Sequence, residues 1–331
     1  MTASIPLRSL MAAVATVAVI SLAFGTGAAA QDYPSRSVKI VVPFPPGGPL
    51  DFTARMLADR LASSLKRAFV VENRPGASGN IGADAVAKAE PDGYTLLFAL
   101  DTPLTVSPTL YPKLPFDPVR DFEPISVAAS FSMSLVVHPS VPVTSVREFV
   151  TYAKNLDRPL LYGSGGGSGN PGHLTMEYFR MKAGFEGLHV PYKGNAEVVM
   201  GLVGGQVQAG FLATPGVLPL AREGRLKALA LSSLERALYA PEIGTITENG
   251  YAGFEVGFYQ VMLSPKGVPE SIRALLEREV RQALQLPELQ TRLRAQALEP
   301  IASTGAEARV LLKSASERWQ TVIKTSNIRP E

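Results

Sequence analysis

The chain has 331 residues, of which 46% are apolar and 18% charged, and its net charge is +3. This length and apolar content predict about two domains and exclude a disordered chain, while the small, dispersed basic excess excludes a nucleic-acid-binding surface. Cysteine is absent, which excludes disulfides, thiolate catalysis and the attachment of a lipid through cysteine.

The first 30 residues have the pattern of a secretory signal peptide. Arg8 is the only charged residue before Asp32, residues 10–24 are apolar or small, and three alanines end the segment at Ala30. A basic start, a short apolar core and an A-x-A end are typical of such a peptide. The alternative, a membrane anchor, needs an apolar core of about 20 residues, and the stretch at residues 10–24 is shorter than that. We therefore predict cleavage near Ala30 and a soluble periplasmic protein.

Predicted strands and helices alternate along the rest of the chain. Strands are expected at residues 38–44, 69–72, 95–99, 134–137, 160–162, 188–190, 207–212, 226–231 and 254–263. Helices are expected at residues 50–66, 81–88, 146–155, 173–183, 196–203, 272–284 and 306–324. A linker rich in proline is expected at residues 103–124. This alternation predicts an α/β fold in which mostly parallel sheets are flanked by helices.

Two glycine-rich loops, at residues 43–51 and 163–173, each connect a predicted strand to a predicted helix. Open α/β sheets bind ligands at such loops, and the helix that follows offers free N–H groups that favour an anion. The alternative is that each loop is an ordinary flexible connection. The candidate ligand-binding residues in the two loops are Phe44, Pro45, Gly47, Gly48, Asp51, Ser164, Gly167, Ser168, Gly169, Asn170 and His173.

Three residues near these loops have a structural interpretation beside the functional one. Asp51 lies in the first turn of a predicted helix, where a carboxylate can cap free N–H groups instead of contacting a ligand. His173 can line the cleft, or it can cap or pack its helix. Lys193 lies in another strand–helix loop, where it can attract an anion or remain solvated.

Patterns of enzyme active sites are incomplete in this chain. Gly167-x-Gly169-x-x-Gly172 matches a dinucleotide fingerprint in form, but the acidic residue expected about 20 positions later is missing. Neither Ser164 nor Ser168 lies in the G-x-S-x-G sequence of a nucleophile elbow. The three histidines lack the spacing of metal ligands. We therefore predict that the protein is not an enzyme and has no cofactor and no metal site.

A series of motifs covers most of the chain that follows the signal peptide. In chain order they are Pro43-Phe44-x-x-Gly47-Gly48-x-x-Asp51, Glu72-Asn73-Arg74-Pro75-Gly76-Ala77-x-Gly79-Asn80-Ile81-Gly82, Pro91-Asp92-Gly93-Tyr94-Thr95-Leu96-Leu97, Asp117-Pro118-x-x-Asp121-Phe122, Tyr162-Gly163-Ser164-x-Gly166, His173-Leu174, His189-Val190-Pro191-Tyr192-Lys193-Gly194 and Trp319-x-x-Val322-Ile323-Lys324. Each motif is weak alone, but their order is specific. With them the chain resembles the Bug-type, TctC-like substrate-binding proteins of tripartite tricarboxylate transporters.

The resemblance implies a two-lobed periplasmic-binding-protein fold of the Venus-flytrap, type II-like class. A small carboxylate would lie between the two glycine-rich loops, and a monomeric protein would deliver it to large and small membrane subunits, TctA/TctB-like, with no nucleic-acid partner. The strand–helix series breaks near residues 122–130 and 254–259. These breaks predict a discontinuous lobe 1, at residues 31–130 and 255–331, and a lobe 2 at residues 131–254.

The sequence differs from the family where a second ligand group could be recognised. Leu212 and Ala213 stand where members often have acidic or amide residues, and Tyr259 replaces a common tryptophan. The segment that contains Asp101 and Thr102 also differs, so these two residues and Tyr259 are further candidate contacts. The differences favour a carboxylate with a neutral, apolar or aromatic far end over an α-amino acid, unless Asp101 faces the cleft and pairs with an ammonium group.

Two other functions remain open at this stage. A periplasmic sensor that feeds a two-component signalling system would use the same cleft, and neighbouring genes would distinguish it from a transport receptor. An exported hydrolase of a carboxylated substrate is the third hypothesis, and turnover of a bound ligand would identify it. Delivery of a carboxylate to a membrane transporter is the function that the sequence favours.

Overall fold

The computed structural model describes residues 33–166 and 169–330. The predicted signal peptide and its cleavage site lie outside these residues, as do Gly167 and Ser168. Among the residues described, no helix is long and apolar enough to cross a membrane. The elements below all belong to the unit Ser37–Glu331.

Strands and helices alternate along this unit. The strands are β1 (Val38–Val42), β2 (Phe69–Asn73), β3 (Thr95–Leu100), β4 (Phe122–Val137), β5 (Leu160–Gly165), β6 (Gly187–Tyr192), β7 (Ala209–Ala213), β8 (Lys227–Leu231), β9 (Gly257–Pro265) and β10 (Glu299–Pro300). The helices are α1 (Pro49–Leu65), α2 (Asn80–Ala87), α3 (Thr102–Thr105), α4 (Ser107–Leu110), α5 (Val146–Lys154), α6 (Pro171–Ala183), α7 (Asn195–Val203), α8 (Thr214–Arg222), α9 (Glu270–Gln285), α10 (Pro287–Ala295) and α11 (Gly305–Thr325). The α/β prediction is confirmed.

The strands follow the order β2-β1-β3-β9-β4-β7-β5-β6. β1 is parallel to both β2 and β3, and β5 is parallel to both β6 and β7. The two parallel groups are separated by β9 and β4, which are antiparallel to each other and to their other neighbours. The sheet is therefore parallel on both sides of an antiparallel centre.

Strand β4 takes part in both halves of the sheet. Its residues 122–132 pair with β9, whereas its residues 133–137 pair with β7 and β8. The sequence analysis predicted a strand only over residues 134–137, because the part before it was assigned in part to a linker. The structure instead has one continuous strand of 16 residues.

The predicted linker at residues 103–124 overlaps two short helices, α3 and α4. Each has a proline in its first turn, Pro103 and Pro108 respectively. Proline fits there because the first N–H groups of a helix have no partner within the helix. Prolines in the first turn also begin α8 and α10, two more helices that the sequence analysis did not predict.

The C-terminal helix α11 packs against the centre of the sheet. Trp319 of this helix is fully buried, and its ring stacks on Phe258 of β9 at a centroid distance of 5.3 Å. A capping box between Thr304 and Glu307 begins the helix. The end of the chain is therefore fixed to the same strands that join the two halves of the sheet.

Candidate functional site

The first glycine-rich loop connects β1 to α1 and is held by the carboxylate of Asp51. This carboxylate accepts a hydrogen bond from the Gly47 N–H at 3.0 Å, two from Arg55 at 2.9 and 3.0 Å, and one from Asn73 Nδ2 at 2.9 Å. Burial acts to raise the pKa of Asp51, but the hydrogen bonds from Arg55, Gly47 and Asn73 outweigh it and hold the pKa below its ordinary value. The ionised carboxylate of Asp51 therefore stabilises the conformation of the loop.

The N-terminal end of α1 has no side-chain cap. Gly48 precedes the helix and makes no capping hydrogen bond, and Pro49 is its first residue. The backbone N–H groups of the first turn have no partner within the helix, and the helix dipole places partial positive charge at this end. Gly48, Pro49 and Leu50 all border a cavity. This end of α1 therefore offers uncapped N–H groups to the cavity, while the nearby charge of Asp51 is paired with Arg55.

The second glycine-rich loop connects β5 to α6, and Asn170 caps the helix. Its Oδ1 accepts from the N–H groups of Gly172 and His173 at 2.8 and 3.2 Å. Its Nδ2 donates to Ser164 Oγ at 2.7 Å. Asn170 thus satisfies two N–H groups of α6 that would otherwise be available to an anion. The two helix ends at the cavity are therefore not equivalent.

Two stacked histidines contact residues of the second loop. The His173 and His189 rings lie 3.7 Å apart, and His189 Nε2 lies 2.7 Å from Ser164 Oγ. His173 Nδ1 accepts from the Gly169 N–H at 3.2 Å. Burial, aided by electrostatic interactions with His189 and Arg180, lowers the pKa of His173 to about 3, so its ring is neutral at neutral pH.

The two loops border one cavity of about 620 Å³. This volume lies within the range of roughly 300–1,000 Å³ that is typical of small-molecule sites. Apolar side chains form much of its wall: Phe44, Leu100, Val106, Leu110, Phe131 and Leu298. Among the described residues that line it, none has a charged side chain. In this part of the wall, a ligand charge can therefore be met by backbone groups, helix dipoles and uncharged polar side chains, but not by an opposite side-chain charge.

The structure places the sequence-predicted site residues in three groups. Those that border the cavity are Phe44, Pro45, Gly48, Thr102, Gly169 and Asn170. Those that lie near it without bordering it are Gly47, Asp51, Asp101, Ser164, His173 and Tyr259. Gly167 and Ser168 lie outside the described residues. Direct contact of any of these residues with a ligand stays a prediction.

Asp101 is fully buried and connects two strands instead of facing the cavity. Its Oδ1 accepts from the backbone N–H of Tyr259 at 3.1 Å, and the Thr105 hydroxyl lies 3.4 Å from its Oδ2. Burial raises the pKa of Asp101 to about 7, although the hydrogen bonds from Tyr259 and Thr105 oppose this shift. In this arrangement Asp101 is not placed to pair with an ammonium group in the cavity.

Sequence reasoning missed most of the cavity wall. Val106, Leu110 and Tyr111 lie in or beside α4, within the segment that was predicted to be a linker. Phe131 and Gln260 come from β4 and β9, where no motif marks them. One signal was available for Leu100: it ends β3, the strand next to β1, so it lies at the same edge of the sheet as the first loop.

The described residues contain no group of three or more His, Cys, Asp or Glu side chains that could hold a metal ion. The charged clusters outside the cavity are ion pairs. One of them surrounds Glu123, which contacts Lys266, Arg273 and Arg309. Burial acts to raise the pKa of Glu123, but its hydrogen bonds with Lys266 and Arg309 hold the pKa below its ordinary value.

Comparisons with known proteins give a consistent result. The family model described as the tripartite tricarboxylate transporter family receptor, TctC, matches residues 53–328. The protein BugT of Bordetella pertussis is 35% identical over 296 residues, which are 89% of this chain and 90% of BugT.

Solved structures agree with the family match. The structure of Rpa4515 of R. palustris with adipate is 34% identical, with a TM-score of 0.78 over 90% of this chain and 100% of that chain. MatC of Rhodopseudomonas palustris with bound malate is 29% identical, with a TM-score of 0.72 over 88% of this chain and 100% of that chain. The structural similarity therefore extends over about nine tenths of this chain.

Proposed function

This chain belongs to the TctC family of tripartite tricarboxylate transporter receptors, and from that premise we propose that its cavity holds one small carboxylate. Membership of a receptor family confirms two predictions: the protein is a two-lobed solute-binding protein, and it is not an enzyme. The bound carboxylate would lie at the N-terminal end of α1. Its far end would be neutral, apolar or aromatic.

One observation carries this proposal: the described part of the cavity wall has no charged side chain, yet it includes an uncapped helix end. Backbone N–H groups at such an end bind carboxylates without an arginine partner. A buried ammonium group, in contrast, needs an acidic partner, because an unpaired buried charge is costly. Ala213 borders the cavity at the position where the family often has an acidic or amide residue.

The structures of relatives support the class of ligand. Rpa4515 was solved with adipate and MatC with malate, and both ligands are small carboxylates. Both relatives share the fold over about nine tenths of this chain. The apolar wall of the present cavity favours a ligand with less charge than these dicarboxylates carry.

We further propose where the protein acts and with which partner. The signal pattern at residues 1–30 supports export to the periplasm with cleavage near Ala30. The receptor would then deliver its carboxylate, as a monomer, to a large and a small membrane subunit, TctA/TctB-like. Membership of the tripartite transporter receptor family supports this partner.

The pairing of β4 supports the proposed division into lobe 1, at residues 31–130 and 255–331, and lobe 2, at residues 131–254. β4 changes partners between Ser132 and Met133, and β9 begins at Gly257. Trp319 packs on β9, which ties the C-terminal helix to lobe 1. Both changes of lobe lie within a few residues of the proposed boundaries.

Calorimetry tests the proposed ligand class. Residues 31–331, refolded from denaturant to remove any co-purified ligand, are titrated with straight-chain and aromatic monocarboxylates, with dicarboxylates, and with aspartate and glutamate. We expect a monocarboxylate to bind and the two amino acids not to bind. Submicromolar binding of aspartate or glutamate alone would overturn the neutral far end. Binding of none of these compounds would overturn the carboxylate site.

A further inference from the structure

A buried amide borders the cavity without satisfying its own hydrogen-bonding capacity. Gln260 of β9 is 1% exposed and lines the cavity. Its Oε1 has no hydrogen-bond partner among the described residues. Buried polar groups are nearly always paired, and an unpaired one costs about 1–3 kcal/mol. A buried acceptor without a partner among the described residues therefore belongs to a residue of this cavity wall.

The position of Gln260 in the sheet separates it from the proposed carboxylate position. In the strand register Gln260 lies beside Leu100 of β3, and β3 lies beside β1, which leads into the first loop. Two strand spacings amount to about 10 Å. A ligand whose carboxylate lies at the end of α1 would therefore reach Gln260 with its far end.

The wall around Gln260 consists of uncharged groups. Leu100, Phe131 and Leu298 supply apolar surface, and the buried residues Thr102 and Ser107 add hydroxyl groups to the same cavity. No described lining residue offers a cation to a second carboxylate. A second buried negative charge would therefore be unpaired, whereas a neutral hydrogen-bonding group would be accepted.

We propose that Gln260 is a specificity-determining residue that selects carboxylates with an uncharged hydrogen-bond donor, a hydroxyl or a carboxamide, at the far end. The donor gives its hydrogen to Gln260 Oε1. This inference rests on the proposed function and narrows it, because it assigns a second contact point in the same cavity. It ranks hydroxy acids and amide acids above both simple fatty acids and dicarboxylates.

The test compares matched ligands on the refolded chain. Calorimetry is carried out with the monocarboxylates from butanoate to heptanoate, with their ω-hydroxy and ω-carboxamide counterparts, and with the dicarboxylates of the same lengths. We expect the best substituted ligand to bind about tenfold more tightly than its unsubstituted counterpart, as one recovered buried hydrogen bond allows. Gln260→Leu should remove this preference, so that the substituted and unsubstituted acids of one length bind with similar affinity.

A matched control lies on the same strand. Ser264 of β9 is also buried, its Oγ also has no partner among the described residues, and it does not border the cavity. Ser264→Ala should therefore keep the full preference. Gln260→Met provides a second apolar replacement in case Gln260→Leu does not fold.

The outcomes separate this inference from the function on which it rests. Equal binding of substituted and unsubstituted acids by the wild type would overturn the role of Gln260 alone. A preference that persists in both Gln260 variants, or tightest binding of a dicarboxylate, would do the same. If the wild type binds no carboxylate at all, the proposed function fails, and the inference fails with it.

Discussion

Gly47 and Gly169 both have positive φ angles, +87° and +76°, but their surroundings differ. A Cβ on Gly47 would meet no atom within 4 Å, whereas a Cβ on Gly169 would lie 2.5 Å from Leu110 Cδ2. Leu110 also borders the cavity. Gly47 therefore permits a turn, and Gly169 also permits the second loop to approach α4 closely.

Substitution of Gly47 should affect ligand binding more than folding. In Gly47→Val a β-branched residue would occupy a left-handed conformation, at a cost of about 1–3 kcal/mol, and would shift the loop that leads to α1. We expect the affinity for the bound carboxylate to fall at least tenfold, by calorimetry, with a cooperative thermal transition retained.

The control for this prediction is Gly250→Val. Gly250 has a φ of +98°, a Cβ there meets no atom within 4 Å, and the residue does not border the cavity. It should lose similar stability and keep the wild-type affinity. Wild-type affinity in Gly47→Val would contradict the assignment of the first loop to the site.

The residues of the site differ in how far the sequence could predict them. Phe44, Gly48 and Gly169 were predictable because glycine and proline mark a loop between a strand and a helix. Gln260 was not, because it lies in an otherwise apolar strand and reaches the cavity through the sheet order. A local sequence pattern predicts the conformation of one segment. The cavity wall, in contrast, depends on which segments lie next to each other in the folded chain.

At the level of elements, Asp101 joins the end of β3 to β9. Its side chain accepts from the Tyr259 N–H, and its own N–H donates to the Tyr259 carbonyl at 2.9 Å. The two residues are 158 positions apart in the chain. The sequence could identify Asp101 as unusual, but the strand that it contacts was set by the antiparallel pairing of β3 with β9.

The raised pKa of Asp101, about 7 in the folded protein, predicts a pH-dependent stability. Below about pH 4 the carboxyl is protonated in both the folded and the unfolded chain. Between about pH 4 and pH 7 only the unfolded chain loses the proton, so the free energy of unfolding should fall as the pH rises. Asp101→Asn, which can still accept from Tyr259, should lack this loss in urea unfolding measured across that range.

Asp51 provides a comparison, because its effect on the free energy of unfolding changes with pH in the opposite direction. Asp51→Asn should lack that effect. Because the pKa of Asp51 is lowered in the folded protein, its contribution to stability is present above about pH 4 and is lost as the pH falls below that value. If Asp101→Asn follows the wild-type pH profile between pH 4 and pH 7, the buried carboxyl of Asp101 does not have the raised pKa.

On the scale of the whole molecule, the proposed lobes are joined by β4 and by the segment before β9. Residues 122–132 of β4 pair with β9, and residues 133–137 pair with β7 and β8. The sequence could indicate these two places because the alternation of strands and helices breaks there. It could not indicate that one connection is a continuous strand, since prolines nearby suggested a linker.

Ligand binding should bring the two proposed lobes closer together. The chain has no native cysteine, so a pair of introduced cysteines can be labelled selectively. Val119 and Met200 are 85% and 75% exposed and belong to lobes 1 and 2. In Val119→Cys/Met200→Cys, the distance between spin labels should shorten when a binding carboxylate is added.

A pair within lobe 1 serves as the control for this measurement. Val119→Cys/Val310→Cys joins two exposed residues of that lobe and should show no change in distance. If neither pair responds to a ligand whose binding is established by calorimetry, the protein binds without closure. The two proposed lobes would then not move relative to each other on binding.

The continuity of β4 has a mechanical consequence. A loop of free backbone can bend about many axes, whereas β4 is hydrogen bonded to β9 on one side of its change of partners and to β7 and β8 on the other. We therefore expect relative motion of the proposed lobes to centre on the place where β4 changes partners, between Ser132 and Met133. The receptor would then explore a narrow range of openings before it meets a solute, so that recognition selects among few shapes and the reorganisation entropy of capture is small.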